Sequence, residues 1–324
     1  MDVNPSPLTV PRRALRRSGA LLAALPLLAL LALSCATPGA APPGPVLVTE
    51  DVLPDLWRFW DAHRADARPD QVRAFRATVI DAHPGLLGPE VFGGPPADKE
   101  VEQLLVELPR LEPRLRSLSE RMPGEARRVA ARFAQRLPEF SWRGPLGFSL
   151  SFGRFEAVWR TVRGEKTLIL GLDALAYYRG PYANVAPLLD HAFARSLLPV
   201  WGGKGDPPLW WSLWEEGYPL VAARTLNPDA TPADLNLPAG SDGDATTSLP
   251  ALARKARASL DSTRDADRRA LAGGPDAAAG RAGPLLALRV AEQVVGGTSL
   301  SDAARLSGPP LRSRIDAALG AMSR

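Results

Sequence analysis

Over most of this chain apolar residues recur at helical spacing, and in one stretch, residues 146–172, the period drops to two. That contrast limits the fold to many helices around one small sheet, an α+β arrangement. The strand-like stretch has three runs. Residues 146–152 (LGFSLSF) alternate, and Phe155–Val162 follows after Gly153 and Arg154, which have the composition of a hairpin turn. Thr167–Leu172 follows after residues 163–166 (RGEK). Three short strands with tight connections predict an antiparallel sheet of three or more strands.

The helical segments are legible on either side. Residues 52–65 place Leu53, Trp57 and Trp60 on one face. A second helix opens at Pro69, where proline is tolerated in the first turn, carries Val72, Phe75, Val79 and Ile80, and ends at Pro84. After a Gly/Pro loop at 85–96, residues 97–121 carry a long stripe from Val101 to Leu118, which Pro109 and Pro113 are expected to bend or break. Residues 124–136 read as another helix. Further helices are expected at 185–198, from Pro208, at 248–272, at 284–295, at 299–306 and at 309–322. The chain thus divides into an N-terminal helical region (46–138), a sheet with two following helices (139–225), a polar loop (226–247) and a C-terminal helical region (248–324).

The first 34 residues stand apart. Arg12, Arg13, Arg16 and Arg17 precede an apolar run from Ala20 to Leu33, interrupted by Pro26. That is signal-peptide length and short for a membrane span. Arg12 and Arg13 also resemble a twin-arginine export signal. The run ends in Ser34 and Cys35, a small residue before cysteine that resembles a bacterial lipobox. Cys35 is the single cysteine of the chain, so a disulfide within one chain is excluded, and lipid attachment is the expected role of the thiol. Residues 36–45 (ATPGAAPPGP) read as a tether that cannot bury a core. The expected location is the periplasm-facing cell envelope. The outer membrane is favoured because Ala36 rather than Asp follows the cysteine. Without residues 1–34, which hold four Arg and Asp2, the chain has 35 basic and 34 acidic residues, a net charge of +1. Nothing in that balance points to nucleic acid.

The chemistry concentrates in two segments. Residues 188–195 (LLDHAFAR) hold His191, with Ala192 next to it and Arg195 four positions on. Residues 213–218 (LWEEGY) hold Glu215, Glu216 and Gly217. On a helix, i and i+4 share a face, so two histidines at that spacing grip one ion while a glutamate beside the first polarises water. Strand, helix and second helix in this order resemble the gluzincin superfamily of zinc metallopeptidases. The closest likeness is to bacterial envelope lipoproteins of that fold, related to predicted zinc-dependent proteases. The resemblance covers residues 140–225 and extends to Leu286–Leu306. It implies an edge strand at Thr167–Leu172, a metal helix at 185–198 and Glu216 with Gly217 as the third-ligand pair.

Within that frame His191 is retained, the general-base position is Ala192 and the second imidazole position is Arg195. His191 and Glu216 are the ligands if zinc is bound; zinc is otherwise not expected, nor any other cofactor. Asp190 points about 100° away from His191 around the helix and is an awkward third donor. Arg195 is expected either to pair with Glu216 or Glu215 where the ion would sit, or to face solvent. Pro219 is expected to kink or restart the third-ligand helix. Trp201, Trp210, Trp211 and Trp214, with Tyr177, Tyr178 and Tyr182, either line a binding cleft or pack the core. His63 and His83 lack metal-ligand spacing and read as surface or capping residues.

These readings predict a degenerate, non-catalytic domain with a binding or scaffolding role toward an envelope protein or peptide. An active zinc peptidase with atypical ligands and a lipoprotein without a functional pocket are the alternatives.

Overall fold

The sheet has four strands in the order β1-β2-β4-β3 and is mixed (β1 Thr49–Asp51, β2 Leu146–Ser149, β3 Ala157–Val162, β4 Glu165–Gly171). The computed structural model describes residues 49–141, 144–179, 184–237, 249–272 and 282–324. The expected signal peptide, Cys35, the expected tether, Tyr182 and residues 238–247 of the expected polar loop lie outside them. Around the sheet stand α1 (Leu53–His63), α2 (Arg68–Phe75), α3 (Pro84–Leu87), α4 (Pro89–Phe92), α5 (Asp98–Arg136), α6 (Leu172–Tyr178), α7 (Ala186–Leu197), α8 (Leu209–Leu226), α9 (Leu249–Ala258), α10 (Asp265–Ala272), α11 (Ala282–Val295), α12 (Leu300–Ala304) and α13 (Gly308–Met322). A π-helical turn, Arg76–Ile80, continues α2. The fold is α+β and mostly helical.

The expected antiparallel meander is corrected. β1 runs parallel to β2, and β2 runs parallel to β4, with Leu146 opposite Leu168. β3 and β4 alone form an antiparallel hairpin, turned by Arg163 and Gly164, both at positive φ. Gly153 does not turn a hairpin. It lets the chain leave β2, cross over and return on the far side of β4, so the edge strands are β1 and β3, and β4 lies inside the sheet. The alternation in 146–152 misled because its small members are buried too. Ser149 and Ser151 are fully buried, and a side chain on Gly147 would come within 2.6 Å of Leu86. A strand buried on both faces belongs to the interior of a sheet with parallel pairing.

Prolines proved weaker breakers than expected. α5 is one helix of 39 residues with Pro109, Pro113 and Pro123 inside it. Each interior proline costs about 3 kcal/mol in an isolated helix. Here the stripe from Val101 to Phe133 is buried along the whole length, and that burial holds the axis together. Pro219 likewise lies inside the unbroken α8. The expected helix at 248–272 is instead two. Between them, Leu260 and Ser262 offer their carbonyls to the backbone N–H groups of Trp210 (3.1 Å) and Leu209 (2.9 Å). The break satisfies donors that the start of α8 would otherwise leave unpaired.

One continuous core joins the N-terminal helices, the sheet and the C-terminal helices. Among the described residues no helix is long and apolar enough to cross a membrane. Gly217 sets how near α8 and α11 approach, since a Cβ there would stand 2.2 Å from the Ala287 carbonyl oxygen. Gly217→Ala is expected to destabilise the fold by about 1–3 kcal/mol through overpacking. In urea titration this lowers the unfolding midpoint with an unchanged slope.

Candidate functional site

Helix α7 has two working faces. Its Leu189 and Phe193 are fully buried, while Leu188, His191, Ala192 and Arg195 line a cleft of about 630 Å³. The opposite wall carries Glu215, Glu216, Trp211 and Leu220 of α8. Phe155 and Glu156, with the first residues of β3 as far as Arg160, form a third side, and Pro199, Val200 and Trp201 also line the cleft. Three elements far apart in sequence therefore bring together the two motif segments.

Arg195 faces Glu215, with Nη2 2.9 Å from Oε1 and both side chains more than a third exposed. Of the two carboxylates expected as its partner, the adjacent one is the contact. Glu216 stays half-buried in the same wall. Burial raises its carboxyl above the usual range, the Arg195 guanidinium pulls it back down, and Glu215 raises it again. Burial also draws the His191 ring down to about 4, helped by the positive charges of Arg195 and Arg179. At neutral pH the imidazole is therefore uncharged, and it is a weak base there.

Asp190, next along the helix, turns away from the cleft. It is fully buried and binds Arg132 of α5, and its Oδ2 accepts from Asn227 Nδ2 at 2.7 Å. Burial raises its carboxyl to about 6 against the opposing pull of these two donors. The residue ties α7 to α5 and to the end of α8, and it is no donor to the cleft.

The position after His191 is occupied in a different way. Ala192 is buried, and its carbonyl oxygen accepts the indole N–H of Trp159, from β3, at 3.1 Å. Lys166 lies 4.9 Å from the centroid of that indole. Strand and helix are thus bound across the cleft at the turn where a general base would stand. At the far end Arg179 grips Glu156 with two bonds of 2.7 Å and donates to the Asp234 carbonyl at 2.7 Å. A paired, largely buried fork of this kind fixes the cleft wall.

The aromatic expectations divide. Trp211 lines the cleft. Trp210 and Trp214 are buried, and neither reaches it: Trp210 packs against Trp201 and Trp211, and Trp214 lies tilted against Tyr218. Tyr178 is 64% exposed and stands away from the cleft; Tyr182 lies outside the described residues. The sequence reading missed Trp159, Arg179, Glu156 and Lys166. Trp159 carried one usable signal, an aromatic on the half-exposed edge of a strand; the others are scattered charges that only the chain path collects. His63 pairs with Asp66 (2.8 Å) and His83 with Asp55 (2.7 Å), both away from the cleft. Among the described residues no three His, Cys, Asp or Glu side chains are grouped to hold one metal ion.

His191 and Asp190 act on acid stability with opposite sign. The unfolded chain protonates this histidine below about 6.5 and the folded chain only below about 4. The contribution of His191 is therefore full above pH 6.5 and is lost as pH falls toward 4. Asp190 holds its proton in the folded state up to about 6, so its contribution grows as pH falls from 6 toward 3.8. In His191→Gln only the second remains, and stability relative to the parent is expected to rise between pH 6.5 and 4, read from urea midpoints at several pH values. In the parent, the ring resonances of His191 should titrate near pH 4 by NMR. Compared with protein-family models, with curated proteins and with solved structures, the chain matches none.

Proposed function

We propose that this chain is a lipoprotein of the bacterial cell envelope, anchored through Cys35, facing the periplasm, and carrying a gluzincin-like domain that has kept its cleft and lost its hydrolytic reaction. The outer membrane is the favoured location. In this reading the cleft binds or scaffolds an envelope protein or peptide.

The observation that carries the reading is the Arg195–Glu215 ion pair at 2.9 Å, on the cleft face of α7 one turn beyond His191. A catalytic zinc takes three protein ligands and keeps one open position. The donors available here are His191 and Glu216. The position one turn on carries a fixed cation, which repels a divalent ion and already neutralises the neighbouring carboxylate. Water activation also needs a proton acceptor near the ion. Ala192 supplies none, and Trp159 is bonded to that turn of the helix. The donor set therefore does not fit a hydrolytic zinc centre.

A gluzincin-like reading is supported by α7 and α8 bordering one cleft with an antiparallel edge strand, which is β3 and not the expected 167–172, and by Glu216 beside a glycine that packs on a following helix. The test is metal content. Mature protein, purified in detergent without chelator and dialysed against micromolar zinc, is expected to hold far less than one zinc per chain by atomic emission. A stoichiometric, tightly held ion would overturn the non-catalytic reading and favour an atypical peptidase.

A further inference from the structure

Away from the cleft, the outward side of α5 carries more arginine than its neighbours neutralise. Residues 110–136 hold eight arginines and three glutamates, a net of +5. The chain after residue 34 nets +1, so everything outside this stretch nets −4. Arg110, Arg114, Arg121 and Arg128 recur at steps of four and seven, which places them within about 40° of one another along about 27 Å of helix. Arg110 and Arg128 are exposed, and Arg114 and Arg121 are half-buried. Two carboxylates serve this row. Glu107 pairs with Arg110, and Glu125 is shared by Arg121 (3.2 Å) and Arg128 (3.3 Å). Arg114, Arg127 and Arg136 have no carboxylate partner among the described residues. Apolar and aromatic groups stand at the N-terminal end of the row. Val106, one turn before Arg110, is 58% exposed, and Tyr177 and Tyr178 of α6 are 50% and 64% exposed. The Arg110 guanidinium lies 5.0 Å from the centroid of the Tyr177 ring, and the two tyrosine rings are 5.0 Å apart. Three of the four large hydrophobic side chains exposed among the described residues thus gather beside the arginines.

We propose that this face of α5 and α6 rests on a membrane surface that contains anionic phospholipid. The guanidinium fork matches phosphate oxygens. Exposed ion pairs contribute little, so the bonds to Glu107 and Glu125 yield to headgroups at small cost. Val106 and the tyrosine rings enter the headgroup layer, where an amphipathic ring keeps its hydroxyl in water. The inference rests on Cys35 being acylated. Thirteen residues lie between Cys35 and Thr49, a reach of at most about 50 Å, so an anchored domain stays at the bilayer and one of its faces meets it. An acyl anchor joined to a basic patch holds a protein to a membrane by two signals. The rest of the chain, with its net of −4, is repelled by the same surface, and that asymmetry turns the arginine row toward it. A soluble acidic partner would be attracted by the same charges, but no tether would hold it within their reach.

The test is partition of the mature chain onto sedimentable vesicles, with Cys35→Ala so that no acyl group masks the surface. The continuous core runs from Val52 to Leu319 and does not include that residue. The vesicles are phosphatidylcholine alone or an equal mixture with phosphatidylglycerol. Each arginine near an anionic surface is worth about fivefold in partition. Binding to the mixed vesicles is expected to exceed binding to phosphatidylcholine by about tenfold or more and to fade in high salt. Arg110→Gln, Arg114→Gln and Arg128→Gln together should lower it about a hundredfold. The same charge removed at Arg254, Arg264 and Arg269, exposed in the α9–α10 region, should change it little. Equal partition onto both kinds of vesicle overturns the proposal, as do equal losses in the two triple variants. If the first variant lacks the near-ultraviolet circular dichroism of the parent, Arg114→Gln alone decides, since it orphans no carboxylate. A loss of about fivefold supports the proposal, and no loss overturns it. Self-association without vesicles, seen by sedimentation velocity and lost with the arginines, would assign the face to a second copy and overturn it as well. The anchor is read separately, from the mass of the unsubstituted chain extracted from bacterial membranes. An unacylated Cys35 overturns the anchoring beneath the proposal, whereas an acylated Cys35 without vesicle preference overturns the proposal alone.

Discussion

Helix α8 is buried on nearly every side, and the close approach of α11 at Gly217 is the contact that lets it be. Twelve of its eighteen residues are buried, so it behaves as a core element rather than an amphipathic surface helix. With no room for a side chain at Gly217, the α11 backbone at Ala287 can lie directly against it. Helix α7 packs beside α8, and the cleft opens along their shared border. Every charged group of that border is placed by how these helices meet. The glycine that follows Glu216 is thus explained by packing, whatever the chemistry of the glutamate.

The cleft itself is held by pairs that close charge on charge. Arg179 and Glu156 lock the strand edge to the end of α6. Asp190, Arg132 and Asn227 lock the back of α7 to α5 and α8. Arg195 and Glu215 bridge the two cleft helices at the more exposed rim, where an ion pair adds little to stability. Its importance lies in position. It fills with a permanent cation the place that a metal-binding helix would give to an imidazole, and its direct contact is Glu215 rather than Glu216.

Much of the helical framework was legible in the sequence, because a stripe of Leu and Val at 3.6-residue spacing survives inspection without coordinates. The stripe from Val101 to Leu118 is buried as read, and α1, α7, α11 and α13 lie within a few residues of their expected spans. Breakers were the weak point. Pro109, Pro113 and Pro219 lie inside continuous helices because the burial of the surrounding face outweighs a local loss. The loop between α9 and α10 went unread for the converse reason, since it is set by a distant helix start at Leu209 and Trp210 that needs acceptors. Strand pairing was unreadable because Gly147, Ser149 and Ser151 imitate the alternation of a one-sided strand while being buried themselves.

By itself the sequence determined that this is a helix-rich α+β chain, and it named the two segments whose side chains could meet in a site. Hydrophobic period and the residue types at 191, 192, 195 and 216 are properties of the chain as written. Tertiary structure decided which of those residues meet. It put Asp190 behind the helix, gave Arg195 to Glu215, laid Trp159 across Ala192 and sent Trp210 and Trp214 into the core. Those outcomes depend on crossing distances and on the return of β3 beyond β4, which are set by long-range packing and carry no local pattern.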